Sequence, residues 1–288
     1  MLKRINVISF FILIVFEMTG QVDIELNVIP ASDDAVGFTS SSIKLQFPIM
    51  LKKGVLIQGI SFSDYNINYE DNQMLNTNEL TNFKSIKYSI GFLKQLKNNW
   101  SFGMHISPTV SSNFESNLSV KDISLNGGII FNKKINNSAW KIGLVMSSEY
   151  SLPIPIPLVN YSKRLNNRIS YVLGFPFTKF EYAFNKRNKV NLFVKPNGFK
   201  ANLSNSIQIE NEEVSKAQYR SFVTGLNLTH QIDDYWKITI EGGHQLYSDY
   251  NLMNGNNKVY EFNTATNFYA GLKLKFNLIR KIKENEIN

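Results

Sequence analysis

A histidine and a serine separated by one residue are the side chains in this sequence whose types fit nucleophilic catalysis. His105 and Ser107 would lie on one face of a strand, because alternate side chains of a strand point the same way. A serine nucleophile needs a base within hydrogen-bonding reach. Residues two apart on a strand are separated by roughly 6.6 Å at the backbone, so this contact depends on the rotamers. The pair is therefore a candidate for catalysis, with a polar lining role as the alternative.

The other polar residues do not form a recognisable metal or cofactor site. The chain has no cysteine and three histidines, and no group of His, Asp and Glu has the spacing of a zinc site. The glycine pairs Gly127-Gly128 and Gly242-Gly243 are not followed by a helix, so they are not phosphate-binding loops. We therefore predict a protein that has no enzymatic activity and binds neither a metal nor a cofactor.

The first twenty residues are typical of an export signal. Lys3 and Arg4 form a basic start, residues 5–16 are apolar, and Met18-Thr19-Gly20 supplies a cleavage site with small residues. An uncleaved anchor helix is the alternative, but the apolar stretch is short for spanning a membrane. We predict a signal peptide at residues 1–20. Because the chain is expected to be exported, the formal net charge of +8 of the full sequence does not indicate a nucleic-acid partner.

The most regular alternation lies near the end of the chain, in residues 262–278. One parity is largely apolar, with Leu274 and Phe276 among its members, and the other is polar, with Lys273 and Lys275. At about 3.3 Å per residue the stretch would be ~55 Å long, whereas soluble strands average about 5–6 residues. A strand that crosses a bilayer needs only about 9–11 residues. We interpret this stretch as the closing strand of a transmembrane β-barrel.

Similar alternation recurs about every twenty residues from Gln21 onward and predicts one barrel domain over residues 21–288. Two prolines decide how its strands are divided. We interpret the segment around Pro176 as one strand bent at the proline, with a turn as the alternative, whereas Pro196-Asn197-Gly198 is a turn signal. The count is 14 strands, or 12 if this ambiguous region holds fewer. The predicted strands are residues 22–30, 41–51, 54–66, 83–96, 100–113, 120–132, 139–150, 157–165, 169–184, 189–194, 199–209, 217–231, 235–247 and 262–278.

Short and long connections alternate along most of the chain. Outer-membrane barrels have short periplasmic turns and longer external loops, so we assign short turns such as Lys52-Lys53 to the periplasmic side. Residues 277–288 then form a short periplasmic tail. Basic residues favour the short turns and acidic residues the long loops, although Lys186-Arg187 on the proposed outer side and Asp233-Asp234 on the inner side break the pattern.

The polar parity of each strand is expected to face the lumen. It carries Lys237, Thr239, Glu241, Lys273 and Lys275, which predicts a hydrated or salt-bridged interior. An open barrel would conduct small solutes, whereas smaller barrels fill their interior with side chains, and the pattern allows both. A soluble sandwich or propeller is the rival fold. The strand lengths, the 13% aromatic content and the alternating loop lengths favour the membrane barrel.

Three segments resemble known outer-membrane proteins. Residues 269–276 resemble the C-terminal signal that the barrel assembly machinery reads, although the chain continues past its final aromatic residue. Residues 153–161 and 173–176 resemble an uncharacterised family of Gram-negative outer-membrane β-barrels, a domain of unknown function, and this implies a barrel without an established activity. His105 and Ser107 resemble the pair of some outer-membrane lipid deacylases. Such an enzyme should turn its pair toward lipid, and His105 is expected on the lumen side.

The sequence therefore predicts an all-β, transmembrane antiparallel β-barrel of 12–14 strands in the bacterial outer membrane. Its expected partners are outer-membrane lipid, the assembly machinery during biogenesis and a small-molecule solute of unknown identity, with no nucleic acid. The predicted function is porin-like passive transport of small solutes. A structural or surface-binding barrel with a closed lumen is the alternative from a different class, and a lipid-modifying enzyme is the third.

Overall fold

The chain folds into one closed antiparallel barrel in a computed structural model that describes residues 20–32, 35–69, 77–116, 118–147, 155–209 and 211–278. Residues 1–19 of the predicted signal peptide and 279–288 of the predicted tail lie outside this description. The strands are β1 (Gln21–Ile29), β2 (Gly37–Leu51), β3 (Gly54–Asn68), β4 (Asn82–Gln95), β5 (Trp100–Ser112), β6 (Ile123–Ile135), β7 (Ser138–Met146), β8 (Ile156–Arg164), β9 (Ile169–Phe175), β10 (Thr178–Ala183), β11 (Asn188–Ile209), β12 (Glu212–Gln231), β13 (Trp236–Asn254), β14 (Asn257–Phe262) and β15 (Phe268–Asn277).

Fourteen of these strands form the wall, as the sequence predicted. Neighbours in the chain pair antiparallel from β1 to β13, and β15 closes the barrel by pairing with both β13 and β1. Strand β14 pairs only with the far end of β13 and lies outside the wall. Short turns at one end of the barrel join each even-numbered strand to the next strand in the chain, from β2–β3 to β12–β13. We call this end the turn end. We call the opposite end the loop end.

Alternation along the strands separates an apolar exterior from a polar interior. On β2, Ile43 is exposed on the outside whereas Lys44 lines the interior. No helix among the described residues has the length and apolar character needed to cross a membrane. The exposed apolar side chains continue around the wall, so hydrocarbon is the medium that fits this surface. They include Ile24, Ile60, Ile86, Ile106, Ile129, Ile142, Val159, Leu173, Phe180, Leu192, Leu226, Ile240 and Leu272.

The structure corrects the predicted division of the chain at both prolines. Residues 169–184 are not one bent strand, because β9 ends at Phe175 and β10 begins at Thr178, on either side of Pro176. The predicted turn at Pro196 is wrong as well, since β11 runs through it. There β11 pairs with β12 alone, because its pairing with β10 ends at Val194. A proline is tolerated in a strand at a free edge, because no neighbouring strand there needs a hydrogen bond from the missing N–H.

The closing strand is shorter than the predicted residues 262–278. Strand β14 ends at Phe262 and β15 begins at Phe268. The five residues between them form a loop whose polar groups bond elsewhere: Thr264 Oγ1 donates to the Ser248 carbonyl at 2.9 Å, and Asn267 N–H donates to Gln245 Oε1 at 3.1 Å. The threonines and asparagines of this loop continue the alternation without supplying an apolar face, which explains the overlong prediction.

Candidate functional site: the barrel lumen

A cavity of 1310 Å³ occupies the interior on the side of strands β1 to β7 and reaches the turn end of the barrel. The inward parity of these strands lines it with serine, asparagine, glutamine and lysine side chains, together with apolar side chains such as Ile57 and Leu93. Lys44 on β2, Ser61 on β3 and Lys87 on β4 lie side by side, because Ser61 is paired with both lysines in the strand register. The cavity lining contains six lysines, Lys44, Lys52, Lys53, Lys87, Lys94 and Lys141, against the single acid Glu25.

An ionic cluster stands on the wall formed by β11, β13, β15 and β1. Its centre is Glu241 of β13, whose side chain is 4% exposed. Glu241 accepts from Lys195 Nζ at 2.5 Å and lies 3.1 Å from Lys273 Nζ. Lys273 also lies 3.2 Å from Glu25 of β1. The cluster therefore links four strands through buried or half-buried charges, which are the ion pairs least weakened by water.

Aromatic and amide groups complete the cluster. The Tyr269 hydroxyl lies 2.8 Å from Glu241 Oε2 and 2.5 Å from Asn27 Oδ1, so it is within hydrogen-bonding distance of both. Lys195 Nζ lies 5.1 Å from the ring centroids of Phe193 and Tyr269, within the range of cation–π attraction. These contacts hold Lys195 over β12, so that a lysine of β11 reaches an acid of β13.

The predicted salt-bridged interior is confirmed for three of the polar residues named from the sequence. Glu241, Lys273 and Lys275 form ion pairs on the lumen side, and Lys275 lies 3.8 Å from Asp23. A second pairing joins Glu181 to Lys179 and Lys189 at 3.1 Å each. Sequence reasoning missed Lys195 because it precedes the predicted turn. Its inward parity becomes evident only when β11 is continuous.

The loop end of the barrel is covered by a lid, which comprises residues 196–209 of β11, 212–223 of β12, 245–254 of β13 and strand β14. Beyond Val194, β11 leaves β10 and leans across the mouth. It reaches β5 with a parallel pairing of Asn202 and Ser112, although five strands of the wall, β6 to β10, lie between β5 and β11. The lid therefore bridges opposite sides of the barrel.

Polar contacts fasten the tip of the lid to the far wall. Ser204 Oγ lies 3.0 Å from Ser112 Oγ, and the Ser204 N–H donates to Asn113 Oδ1 at 2.9 Å. Asn202 Nδ2 donates to the Lys121 carbonyl at 2.5 Å. All of these contacts are non-covalent hydrogen bonds, each of which contributes about 0.5–1.5 kcal/mol. The tip is therefore held by several weak contacts and no strong one.

An aromatic core lies beneath the lid. Phe199 stacks on Phe38 of β2 and Tyr65 of β3 with ring centroids 5.6 and 4.8 Å away, and it meets Phe83 of β4 at 5.4 Å. Tyr219 stacks on Phe38 at 4.6 Å. The inward parity of β2 to β4 thus changes from polar to apolar toward the loop end. The aromatic core fills the barrel interior there and ends the polar lumen.

A tyrosine pair extends this core at the end of β3. The hydroxyls of Tyr69 and Tyr250 lie 2.7 Å apart, and Tyr69 also donates to the Leu80 carbonyl at 3.0 Å. Burial, followed by the influence of Tyr250, raises the pKa of the Tyr69 hydroxyl well above its usual range. Tyr69 therefore stays protonated, and the pair acts as a neutral hydrogen-bonded contact between the lid and the wall.

The two residues considered for catalysis both line the cavity. His105 is half-buried and Ser107 is buried on the inner face of β5. In the described part of the chain no hydrogen bond joins their side chains. They face away from the exposed apolar side chains Met104 and Ile106. Across the described ranges there is also no group of three or more His, Cys, Asp or Glu residues that could hold a metal.

A family model described as "Domain of unknown function (DUF6268)" matches residues 52–278. The match confirms the resemblance carried by residues 153–161 and 173–176. No curated protein sequence matches the chain.

Several solved barrels resemble the structure at low identity. The COG4313 outer membrane channel from Pseudomonas putida F1 is 9% identical with a TM-score of 0.45, covering 90% of this chain and 94% of that one. The Pseudomonas putida toluene transporter TodX is 10% identical with a TM-score of 0.39, covering 90% and 88%. The KdgM porin is 9% identical with a TM-score of 0.36, covering 89% and 98%. At these values the likeness carries no function to this chain.

Proposed function

We propose for this chain, which belongs to the family described as a domain of unknown function (DUF6268), the passive passage of small polar solutes across a bacterial outer membrane. The observation that carries the proposal is the 1310 Å³ cavity, which lies inside the wall and reaches the turn end. Its lining of lysine, serine and asparagine side chains suits water and dissolved solutes. A barrel that served only as a wall would gain stability by filling this space with packed side chains.

The outer membrane is the proposed location because the wall combines an apolar exterior with asymmetric ends. Bacterial outer-membrane barrels have an even number of strands, short periplasmic turns and aromatic girdles. Trp100 and Trp236 are the first residues of β5 and β13, and Trp140 is near the start of β7, so all three tryptophans lie at the turn end. We propose that the turn end faces the periplasm, that outer-membrane lipid surrounds the wall and that the barrel assembly machinery inserts it.

Passage requires the lid to move, because the lid and the aromatic core occupy the loop end. Opening has to break the hydrogen bonds at the tip and the stacking of Phe199 and Tyr219 on the wall, whereas the ionic cluster lies deeper in the lumen and holds the wall. We therefore propose a barrel that is closed in the conformation described here and conducts when the lid tip separates from β5.

A closed structural or surface-binding barrel is the second candidate, and the aromatic core is the observation that favours it. Burying Phe199, Tyr219 and Tyr250 stabilises the lid by several kcal/mol at about 1.5–3 kcal/mol per large side chain. In this alternative the lid never opens and its outer surface makes the functional contacts. We propose no enzymatic activity, since His105 and Ser107 face the lumen instead of lipid.

A disulfide across the lid tip separates the two candidates. Because the natural chain has no cysteine, the S112C/S204C variant introduces a single pair, at positions whose hydroxyl oxygens are 3.0 Å apart. We expect the reduced variant to conduct in planar lipid bilayers and the oxidised variant to lose most of that current, with recovery after reduction. The matched control is T229C/T239C, whose hydroxyls are 2.9 Å apart on paired strands of the wall. Its oxidation should leave the current unchanged.

The outcomes are distinct. Current that disappears only with the S112C/S204C disulfide supports passage under lid control. Flat recordings from the natural chain and from the reduced variant at all voltages contradict passage and favour the closed barrel. Equal currents from the oxidised and reduced S112C/S204C variant contradict the role of the lid.

A further inference from the structure

The charge of the lumen is unevenly distributed between its two sides. On the side of β9 to β15 and β1, each lumen acid lies near a lysine: Glu241 beside Lys195, Glu181 beside Lys179, and Asp23 within 3.8 Å of Lys275. These carboxylates are therefore already paired with lysines of the protein itself. The cavity side instead has six lysines and one acid in its lining.

Glu25, the one acid in the lining of the cavity, already has a lysine partner. Glu25 lies 3.2 Å from Lys273 of the ionic cluster, so it does not serve the lysines of the opposite wall. Among the residues that the structure describes, neither Lys44 nor Lys141 lies within 4 Å of a carboxylate. Among the described residues, the cavity lining therefore carries more positive than negative charge, and Lys44 and Lys141 contribute to it without a carboxylate partner.

Hydrogen-bond donors surround these lysines. Ser42, Ser61, Ser63 and Ser89 occupy neighbouring inward positions of β2 to β4, and Asn126 lies across the cavity on β6. Lysine ammonium and serine hydroxyl groups both donate to oxyanions.

We infer that the cavity is a binding site for small oxyanions, which carry carboxylate or phosphate oxygens, and that the passage proposed above therefore prefers anions. A cleft with one sign of charge and walls of low dielectric constant concentrates ions of the opposite sign. The barrel wall with its apolar exterior supplies such a boundary. The inference rests on the proposed passage only for its transport consequence, because binding can be measured without transport.

The binding test uses the purified full chain in detergent and isothermal titration calorimetry. Citrate and inorganic phosphate are the two probes, and glucose is the neutral comparison. The variant K44Q/K141Q removes two cavity charges that have no ion pair among the described residues, so its fold should persist. The control K97Q/K186Q removes the same charge from exposed positions in turns. We expect anion binding to weaken about tenfold in K44Q/K141Q, equivalent to about 1.4 kcal/mol, and to stay near the natural value in the control.

The ratio of citrate to phosphate affinity identifies which oxyanion the cavity prefers. Absence of binding by both anions, glucose binding of equal strength, or equal weakening in both double variants would overturn the inference.

A bilayer measurement then tests the transport consequence. Under a potassium chloride gradient, we expect a reversal potential that shows preference for chloride, with a shift toward zero in K44Q/K141Q but not in K97Q/K186Q. A barrel that conducts but prefers cations contradicts the proposed anion selectivity and leaves the binding site itself unaffected. Anion binding without any current contradicts the passage proposal while the site itself stands.

Discussion

At the scale of single residues, Glu241 determines how the lumen is held together. It is 4% exposed and lies within ion-pair distance of lysines from two other strands. Removing one partner of a buried pair leaves the others charged and without compensation, which costs more than the pair contributes on its own. Glu181 offers a natural comparison, since it also meets two lysines but its side chain is 19% exposed.

The Glu241→Gln variant should lose about 3 kcal/mol of unfolding free energy, because Lys195 then faces a neutral amide in a half-buried place and Lys273 keeps only Glu25 as a partner. Glu181→Gln should lose about 1 kcal/mol or less, because water screens the charges around it. Urea titration of the protein in phospholipid vesicles, followed by tryptophan fluorescence, measures both values. Equal losses in the two variants would show that burial does not distinguish the two acids.

At the scale of elements, β11 shows where a sequence pattern is informative and where it is not. Its alternation around residues 189–194 and 199–209 predicted strands correctly, but the Pro196-Asn197-Gly198 signal predicted a turn. The missing information was that β10 begins only at Thr178, opposite Val194, and leaves the edge of β11 beyond Val194 free. Edge pairing depends on a partner elsewhere in the chain, so local turn propensity could not reveal it. The lid follows from the same fact, because only a continuous β11 reaches β5.

A signal for the lid was nevertheless present. Phe38, Tyr65, Ile67 and Phe83 occupy inward positions at the loop end and are apolar, whereas the inward positions halfway along the same strands, such as Lys44, Ser61 and Lys87, are polar. A purely hydrated lumen would not place four large apolar side chains on its inner face. What the sequence lacks is the identity of the segment that covers them, since Phe199 and Tyr219 come from strands on the opposite wall.

Two glycines face each other where β12 pairs with β13, close to the boundary between the wall and the lid. Gly225 and Gly243 are paired across the two strands, just before an irregularity in the register at Phe222 and Val223. A Cβ atom on Gly243 would lie 1.9 Å from the Thr224 carbonyl oxygen, whereas one on Gly242 would meet no atom within 4 Å. Of the two neighbouring glycines, only Gly243 is therefore required by a close approach of the backbone.

Gly243→Ala should therefore destabilise the barrel by about 1–3 kcal/mol, because the backbone of β12 has to move to admit the methyl group. Gly242→Ala changes the same dipeptide in open space and should be nearly neutral. The shift of the folded band in cold SDS gels, together with urea titration in vesicles, measures the difference. Equal stability of the two alanine variants would contradict the close packing at Gly243.

At the scale of the whole molecule, the predicted 14 strands were reached through two opposite errors. The segment around Pro176 is two strands instead of one, and the segment around Pro196 is one strand instead of two. The corrected course also moves Lys186-Arg187 to a short turn at the turn end, between β10 and β11. This removes one exception to the charge asymmetry and leaves Asp233-Asp234 as the other. Strand period and total length are robust to such errors, whereas strand boundaries are not.

The proposal that hydrocarbon surrounds the wall is tested by placing a charge on it. Ile240 of β13 is 58% exposed and lies four residues from Trp236 at the turn end, so an arginine there would sit deep in the apolar layer. Ile240→Arg should cost about 2–4 kcal/mol in lipid vesicles. Val120→Arg, which changes an 84% exposed residue in the connection before β6, should cost about 0–1 kcal/mol. Vesicle folding assays measure both, and a neutral Ile240→Arg would mean that water, not lipid, contacts this surface.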